Sequence, residues 1–490
     1  MRLSEILAAL PFYESAVAFD SVEISNIEVD SRRVTRGSLF VCINGFTLDG
    51  HDFVDQAVEN GASAILAERK LDVPVPTIIV ADSSRAIAMI AAKFYDYPTA
   101  SLPLIGVTGT NGKTTISYLL ESIFNEYELK TGVIGTIQMK IGQDAFPVNN
   151  TTPDALFLQR TFREMIEKDV DKAIMEVSSH ALDMGRVYGC DFDIAIFTNL
   201  SQDHLDYHKD MDDYLHAKSL LFAQLGNTYN NNKKKYAILN VDDPSSRIIQ
   251  RSTAQHIVSY GCENSAQVMA TNIKLEVNRT SFTMETPVGS IEISSRLIGK
   301  FNVYNMLAAS AAAISAGIPL VTIKNALKRI GGVRGRFEPV DGSKPYAVIV
   351  DYAHTPDSLE NVLQTIKGFA ERKVYVVVGC GGDRDRTKRP LMAGIAMQYA
   401  DHVIFTSDNP RTEDPTLILE DMTGELQENH YEVIEGRRDA IFHAVSLAEK
   451  DDIVLIAGKG HETYQEIGHH RYDFDDREVA REAIKAKEQS

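Results

Sequence analysis

The 490-residue sequence has no excess of basic residues, few cysteines and no long apolar run, and each shortage removes a class of function. With 50 Lys and Arg against 68 Asp and Glu, the formal net charge is −18. A nucleic-acid partner is therefore not expected, because release of condensed counterions needs a concentrated basic surface. Any anionic substrate must be held by locally placed arginines, lysines and backbone N–H groups. The four cysteines, Cys42, Cys190, Cys262 and Cys380, are widely scattered and lack metal-ligand spacing. They read as reduced thiols in a reducing compartment. No stretch reaches 18 consecutive apolar residues, and Met1 to Leu10 carries a single Arg and an apolar run broken by Glu5. Neither a membrane span nor a signal peptide is expected, and the location predicted is cytoplasmic. The length exceeds what one core usually serves and predicts about three domains.

What is present centres on Leu104 to Thr115, a short apolar run that breaks into glycines and then into Lys-Thr-Thr. The run reads as a buried strand, Gly109-Thr110-Asn111-Gly112 as a tight loop, and Ile116 to Phe124 as the start of a helix. That order aims backbone N–H groups and a helix N-terminus at one point, with Lys113 as a mobile positive charge and the Thr114 hydroxyl as a magnesium ligand. The spacing departs from the usual Walker pattern: Val107 stands five before Gly112, and Gly109 only three before it. Lys113-Thr114 directly after Gly112 nonetheless makes this a phosphate cradle.

Three alternating α/β regions surround the cradle, predicted at 1–98, 99–335 and 336–490: a small α/β unit, a central P-loop-type and mostly parallel sheet, and a Rossmann-like doubly wound sheet. The first has strands at Ile24 to Val29 and Leu39 to Ile43, a helix near Phe53 to Asn60, and polar stretches at Asp30-Ser31-Arg32 and Asn44 to Gly50. By themselves those stretches read as turns. In the second, the strand Asp171 to Glu176 brings Glu176 to the carboxyl edge beside the cradle, where it would hold magnesium. Strand Ile194 to Phe197 delivers Thr198 to His204 to the same edge, although a lone histidine there is more often structural. Gln267 to Leu297 reads as hairpins, and Asn302 and Asn305 share a helical face, as caps or as a pair meeting an adenine edge. The third region places Asp351 to Pro356, Gly381 to Arg384, Asp408 to Arg411 and Gly458 to Glu462 just after strands.

Gly109 to Thr115, Glu176-Val177-Ser178-Ser179-His180, Thr198-Asn199-Leu200 with Asp203-His204, Gly299 with Asn302 and Asn305, and Asp351-Tyr352-Ala353-His354 together resemble the Mur ligases. Those enzymes join amino acids to the cytoplasmic precursor of peptidoglycan. Asn150-Thr151-Thr152-Pro153 and Asp408-Asn409-Pro410-Arg411 also resemble signatures of the members that add the third residue of the stem peptide. The matching motifs run from Asp30 to Glu462 and cover nearly the whole chain.

The resemblance implies a first domain for the UDP part of the substrate, a second for ATP and a third for the incoming amino acid. Ser31 and the loop Phe46, Thr47 and Leu48 would meet the uridine diphosphate. Asn150, Thr151, Thr152, Ser178 and Arg186 would hold the muramoyl-dipeptide arm, and Met184 stands where some relatives have a glutamine. Asn305, Arg336 and Asp351 would join the cradle residues Gly109, Thr110, Asn111, Gly112, Lys113, Thr114 and Thr115 in binding ATP. Thr114, Glu176, His204 and a carbamylated Lys218 would hold Mg2+, with Lys113 neutralising the transferred phosphoryl group.

The substrate carboxylate would be activated as an acyl phosphate and then attacked by the amine. The partners implied are UDP-MurNAc-L-Ala-D-Glu and meso-diaminopimelate, acted on by a monomer. Arg411 would pair with the distal carboxylate that L-lysine lacks, while Arg384, Asp408, Asn409, Pro410, Gly458 and Glu462 complete the pocket and Glu462 takes the distal ammonium. The alternatives are a lysine-adding member, a folylpolyglutamate synthetase-like ligase, or a non-catalytic ATP-binding switch.

Overall fold

The computed structural model describes residues 1–489 except 17, 46, 47, 149, 230–232, 277, 278, 341, 343, 344, 428 and 429. Its three large sheets follow one another along the chain. The first has five strands, ordered Glu14–Ser15, Thr77–Ile79, Ala62–Ala67, Ser38–Val41, Asn26–Glu28. Ser38–Val41 is buried at every position, and helix Ser83–Phe94 covers one face of the sheet through Ala86, Ile87, Ile90 and Ala91. That helix starts where the Asp82 side chain accepts from Arg85 N, an N-cap that fixes its first turn. The helix expected near residue 53 is Val54–Glu59, preceded by a 3₁₀ turn at Gly50–Phe53.

The central sheet has eleven strands. It is parallel from Val268–Glu276 through His256–Gly261, Tyr236–Asn240, Ile194–Phe197, Leu104–Thr108 and Lys172–Glu176 to Thr131–Ile134. Leu104–Thr108 is buried throughout and lies between Ile194–Phe197 and Lys172–Glu176, so its apolar run needs no polar face. Register then places the chemistry: Glu176 pairs with Val107 and Phe197 with Thr108. Both neighbouring strands therefore end level with the glycine loop. The expected hairpins form the antiparallel edge Val268–Glu276, Arg279–Thr286 and Gly289–Ser295.

Helix Lys113–Glu126 leaves the loop and packs against Lys300–Ser315. The second helix presents Ala308, Ala309, Ala311, Ala312 and Ala313, all fully buried, and side chains this small let the two backbones approach closely. It begins at Lys300, six residues ahead of the apolar stretch from Met306, so Asn302 and Asn305 lie in its first two turns.

The third sheet has six strands, ordered Glu338–Pro339, Ala347–Asp351, Ile453–Ala457, Val374–Val378, His402–Phe405, Tyr431–Val433, with all but the first parallel. Both faces are covered. Val374, Val376 and Val378 meet helices Pro356–Lys367 and Lys388–Tyr399, while Tyr375 and Val377 meet Arg437–Leu447 and Asp476–Glu488. A separate hairpin, Tyr464–Ile467 with His470–Asp473, stands over the carboxyl edge. Among the described residues no helix is long and apolar enough to cross a membrane.

Candidate active site

The glycine loop is fastened to the strand edge beside it. Thr110 N donates to Asn199 O and Asn111 N to Asn199 Oδ1, both at 2.9 Å, and Thr198 Oγ1 donates to Asn111 O at 2.7 Å. Gly109 has φ +144°, and a Cβ there would lie 1.8 Å from Thr198 Oγ1. At Gly112, φ is +91° and a Cβ would meet Asn305 Oδ1 at 2.4 Å. Both positions therefore require glycine on two counts, backbone angle and space.

Lys113 is folded back over this loop, donating to Gly109 O and Thr110 O at 2.8 Å each. Burial pushes its ammonium below the usual lysine range, against the pull of Glu176 and Asp203. Thr114 Oγ1 donates to Glu176 Oε2 at 3.0 Å, and Glu176 also accepts from Thr136 N and Oγ1. Arg336, from beyond the central sheet, donates through Nη2 to Thr114 Oγ1 at 3.2 Å, while its Nε is buried without a partner.

Two adjoining cavities share Asn111, Gly112 and Arg336. One, of about 320 Å³, is lined by Lys113, Thr114, Glu176, His204, Lys218 and Arg384, and by Asn150, Thr151, Thr152, Ser178 and Arg186. Thr152 Oγ1 donates to Glu176 O and accepts from Ser178 N, and Arg186 Nη1 donates to Thr152 O. Met184 stands behind this wall: its sulfur accepts from Arg186 Nη2 at 3.3 Å and supports that guanidinium.

The other cavity, about 460 Å³, holds Thr115, Asn305 and Asp351, with Asp242, Tyr304 and Asp357, which the sequence did not mark. Asn302 does not line it. Its amide is committed to Ile298 O and to Asn305 Nδ2, so it orients Asn305 and the expected pair reduces to one exposed edge. Burial raises the Asp351 carboxyl to about 6, against the pull of Arg336 and a bond from Phe337 N.

Around His204, burial lowers the imidazole to about 3, and burial also takes His180 to about 4. Asp203 stays ionised: burial opposes this, but His204, the His354 hydrogen bond and Lys388 together hold its carboxyl well below the usual range. Lys218 is 1% exposed with Nζ 4.2 Å from the centre of the Tyr214 ring. Burial, then the charge of Lys113, drives its ammonium well below the lysine range.

Among the described residues, no group of three or more His, Cys, Asp or Glu side chains could hold a metal by itself. The Thr114 hydroxyl and Glu176 carboxylate do present adjacent oxygens beside the cradle, and Mg2+ commonly takes one or two protein oxygens plus phosphate and water. The residues fit a cation that arrives with a phosphate.

The residues expected to bind the amino acid divide. Arg384 faces the smaller cavity. Asp408, Asn409, Arg411 and Glu462 gather at the carboxyl edge of the third sheet, and Pro410 O would lie 1.9 Å from a Cβ on Gly382. Gly458 has φ +117°, and a Cβ on it would strike Asp408 Oδ2 at 2.5 Å.

Two of these residues already have protein partners. Arg411 donates to Gly382 O at 2.6 Å and faces Glu466 at 3.3 Å. Glu462 Oε2 accepts from Asn409 Nδ2 at 2.9 Å and Lys459 Nζ at 2.8 Å. Lys459 is the residue that sequence reasoning passed over, although it lies inside the Gly458 to Glu462 loop. Ser31 is buried at a loop of the first sheet, bonded to Gln56, and Leu48 is exposed; neither lines these cavities. Phe46 and Thr47 lie outside the described residues.

Comparison with known proteins agrees over the whole length. Residues 23–95 match the Mur ligase family catalytic domain, 107–313 the Mur ligase middle domain, and 335–460 the Mur ligase glutamate ligase domain. A curated protein of Oceanobacillus iheyensis named UDP-N-acetylmuramoyl-L-alanyl-D-glutamate--2,6-diaminopimelate ligase is 64% identical, covering 99% of this chain and 100% of the relative. A solved structure of a protein with the same name has a TM-score of 0.71 at 34% identity, with all of both chains covered. MurF of Thermotoga maritima, solved with ADP, has a TM-score of 0.67 at 18% identity over 96% of this chain and 98% of that one, a likeness of fold. This chain belongs to the Mur ligase family.

Proposed function

We propose that this protein is an ATP-dependent amide ligase that joins meso-diaminopimelate to the D-glutamate side-chain carboxylate of UDP-MurNAc-L-Ala-D-Glu, in the cytoplasm, during peptidoglycan precursor synthesis. The observation that carries the reading is the wall common to the two cavities, where Arg336 spans from the third region to Thr114 of the cradle. One cavity suits a nucleotide and the other an acidic acyl donor, and they meet at the phosphate loop. The names of the 64% and 34% identical relatives support the substrates. Domains at 1–98, 99–335 and 336–490, taking UDP, ATP and amino acid respectively, belong to this reading.

The chemistry needs no protein nucleophile. A glutamate carboxylate oxygen attacks the γ-phosphorus, the bond to the β-phosphate oxygen breaks, and ADP leaves. The amine then attacks the acyl carbon, and inorganic phosphate departs. What this chain supplies is position and charge. Loop N–H groups and Lys113 face the phosphates, with Lys113 exchanging its two carbonyl partners for phosphate oxygens. Arg336, with its orphaned Nε, supplies a second cation from the opposite wall.

Thr114, Glu176, His204 and a carbamylated Lys218 would hold Mg2+, which when bound neutralises developing phosphate charge. Carbon dioxide adds only to a neutral amine, and the depressed Lys218 ammonium satisfies that condition. The Thr152, Ser178 and Arg186 network holds the dipeptide arm. Phosphate release tests the reading: it should require both the UDP-linked dipeptide and the amino acid. Release indifferent to both would instead mark an ATP-driven switch.

A further inference from the structure

Lys459, in the loop that follows strand Ile453–Ala457, is 0% exposed. Its Nζ donates to Asn409 Oδ1 at 2.9 Å and to Glu462 Oε2 at 2.8 Å, and lies 5.4 Å from the centre of the Tyr464 ring. Asn409 Oδ1 also accepts from Glu466 N at 2.9 Å. With two donors on its oxygen, the Asn409 amide cannot turn over, so Nδ2 is fixed toward Glu462. Oε2 of Glu462 is thereby saturated, and Oε1 is the oxygen through which it can meet a ligand.

The charges at this sheet edge balance. Arg411 and Arg471 face Glu466, Arg437 lies between Asp476 and Asp408, and Lys459 faces Glu462, four cations to four carboxylates. Before a ligand arrives, the surroundings of Glu462 carry a cancelled charge. A lone ammonium approaching Oε1 would meet the Lys459 cation without a counter-charge of its own, in a place too dry to screen the repulsion. A head group with one ammonium and one carboxylate brings no net charge, and its carboxylate can meet Arg411.

We propose that Lys459 is a positioning residue that sets amino-acid specificity. By cancelling the Glu462 charge and locking the Asn409 amide, it makes the distal subsite accept a zwitterionic head group over a single ammonium. This rests on the amino-acid site assigned above.

The test is kcat/KM for meso-diaminopimelate and for L-lysine, with UDP-MurNAc-L-Ala-D-Glu and saturating ATP, in the wild type and in Lys459→Met. Methionine keeps the apolar length and removes the cation, leaving Glu462 as an uncompensated anion that lysine can satisfy. The ratio of diaminopimelate to lysine efficiency should fall about 10²-fold, the scale of unpairing a buried charge. The change should appear in KM for the amino acids while KM for ATP stays constant. Adding Glu462→Gln to Lys459→Met restores neutrality and should recover part of the ratio.

Should thermal melting show Lys459→Met unfolded, Glu462→Gln alone decides: it leaves Lys459 uncompensated and should reject lysine more strongly than the wild type does. An unchanged ratio in folded Lys459→Met, or in Glu462→Gln, overturns the proposal while leaving the ligase reading intact. A wild type that makes no product with diaminopimelate overturns both.

Discussion

Lys218 and His461 show how burial, reinforced by neighbouring cations, sets the state of a side chain. If Lys218 carries a carbamate, Lys218→Ala should lose nearly all ligase activity and regain part of it with a short carboxylic acid such as acetate or propionate, whose oxygens replace those removed. Full activity in the variant would remove carbamylation from the account. His461 has a buried Nδ1 without a partner and packs against the Tyr352 ring at 4.9 Å, and burial, then Arg336 and Arg334, lowers it to about 3.

The unfolded chain takes up a proton near pH 6.5 that folded His461 refuses. Its contribution is therefore present above pH 6.5 and is lost as pH falls toward 3. Between pH 7.5 and 5 that is at most about 2 kcal/mol at about 1.4 kcal/mol per unit. Asp351, raised to about 6, acts in the opposite sense over roughly pH 4 to 6, so the variant must be compared with the wild type at each pH. His461→Phe should flatten the stability profile in denaturant titrations at pH 7.5 and 5; an unaltered slope would mean that folded His461 protonates normally.

At this scale the sequence was legible where chemistry is local. The loop from Gly109 to Thr115 carries its own turn, charge and hydroxyl within seven residues. Asn409, Lys459 and Glu466 were not legible as a unit, because the lysine and the asparagine meet across 50 positions and the hairpin that brings Glu466 has no strong pattern. Arg411 was identified by type, but its Glu466 partner depends on that same hairpin. A cation recognised in sequence tells what it can bind, not what already occupies it.

Elements position the site through register. Strand Leu104–Thr108, buried on both faces, fixes Glu176 and Thr198 beside the loop because both of its neighbours run parallel and end level with it. The apolar run and the acidic residue ending the next strand were readable; that the two strands are adjacent follows from the fold. The loop tolerates little. Gly109→Ala would force a Cβ to 1.8 Å from Thr198 Oγ1 and 3.1 Å from Asn199 N, at a φ that alanine avoids.

A loss of about 1–3 kcal/mol is expected from the strained backbone and displaced Thr198. Nucleotide affinity should fall with it, since the Thr198 to Asn111 bond shapes the cradle. Thermal melting with titration of a non-hydrolysable ATP analogue checks both, and wild-type affinity in the variant would show that the loop does not need this staple. Helix Lys300–Ser315 gives the complementary lesson. Its alanines promised close packing, but its true start, ahead of the apolar stretch, decided that Asn305 alone faces the cavity.

In the whole molecule, the third sheet closes against the second through polar contacts. Asn111 Nδ2 donates to Asp357 at 2.8 Å, Gln202 Nε2 to Thr387 at 2.8 Å, and Arg336 to Thr114. These contacts surround the phosphate loop, where excluding water would protect an acyl phosphate from hydrolysis. Beside these polar bonds, Ile298 and Phe301 of the second region pack against the core of the third, with the Phe301 and Phe337 rings 6.2 Å apart. The alternation of strands and helices made three α/β units readable, while these three polar contacts join residues 185 to 246 positions apart and carry no local signal.

The central claim is that these parts form one ligase whose third region selects a carboxylate-bearing diamino acid. It is tested most directly by kcat/KM for meso-diaminopimelate and L-lysine on the UDP-linked dipeptide, with the product identified by mass, in the wild type and in Arg411→Ala. The account predicts a wild-type preference for diaminopimelate of about 10⁴ or more, as expected when a buried polar site loses its matching group, and a selective loss of diaminopimelate activity in Arg411→Ala. Equal efficiency with the two amino acids in the wild type would contradict it.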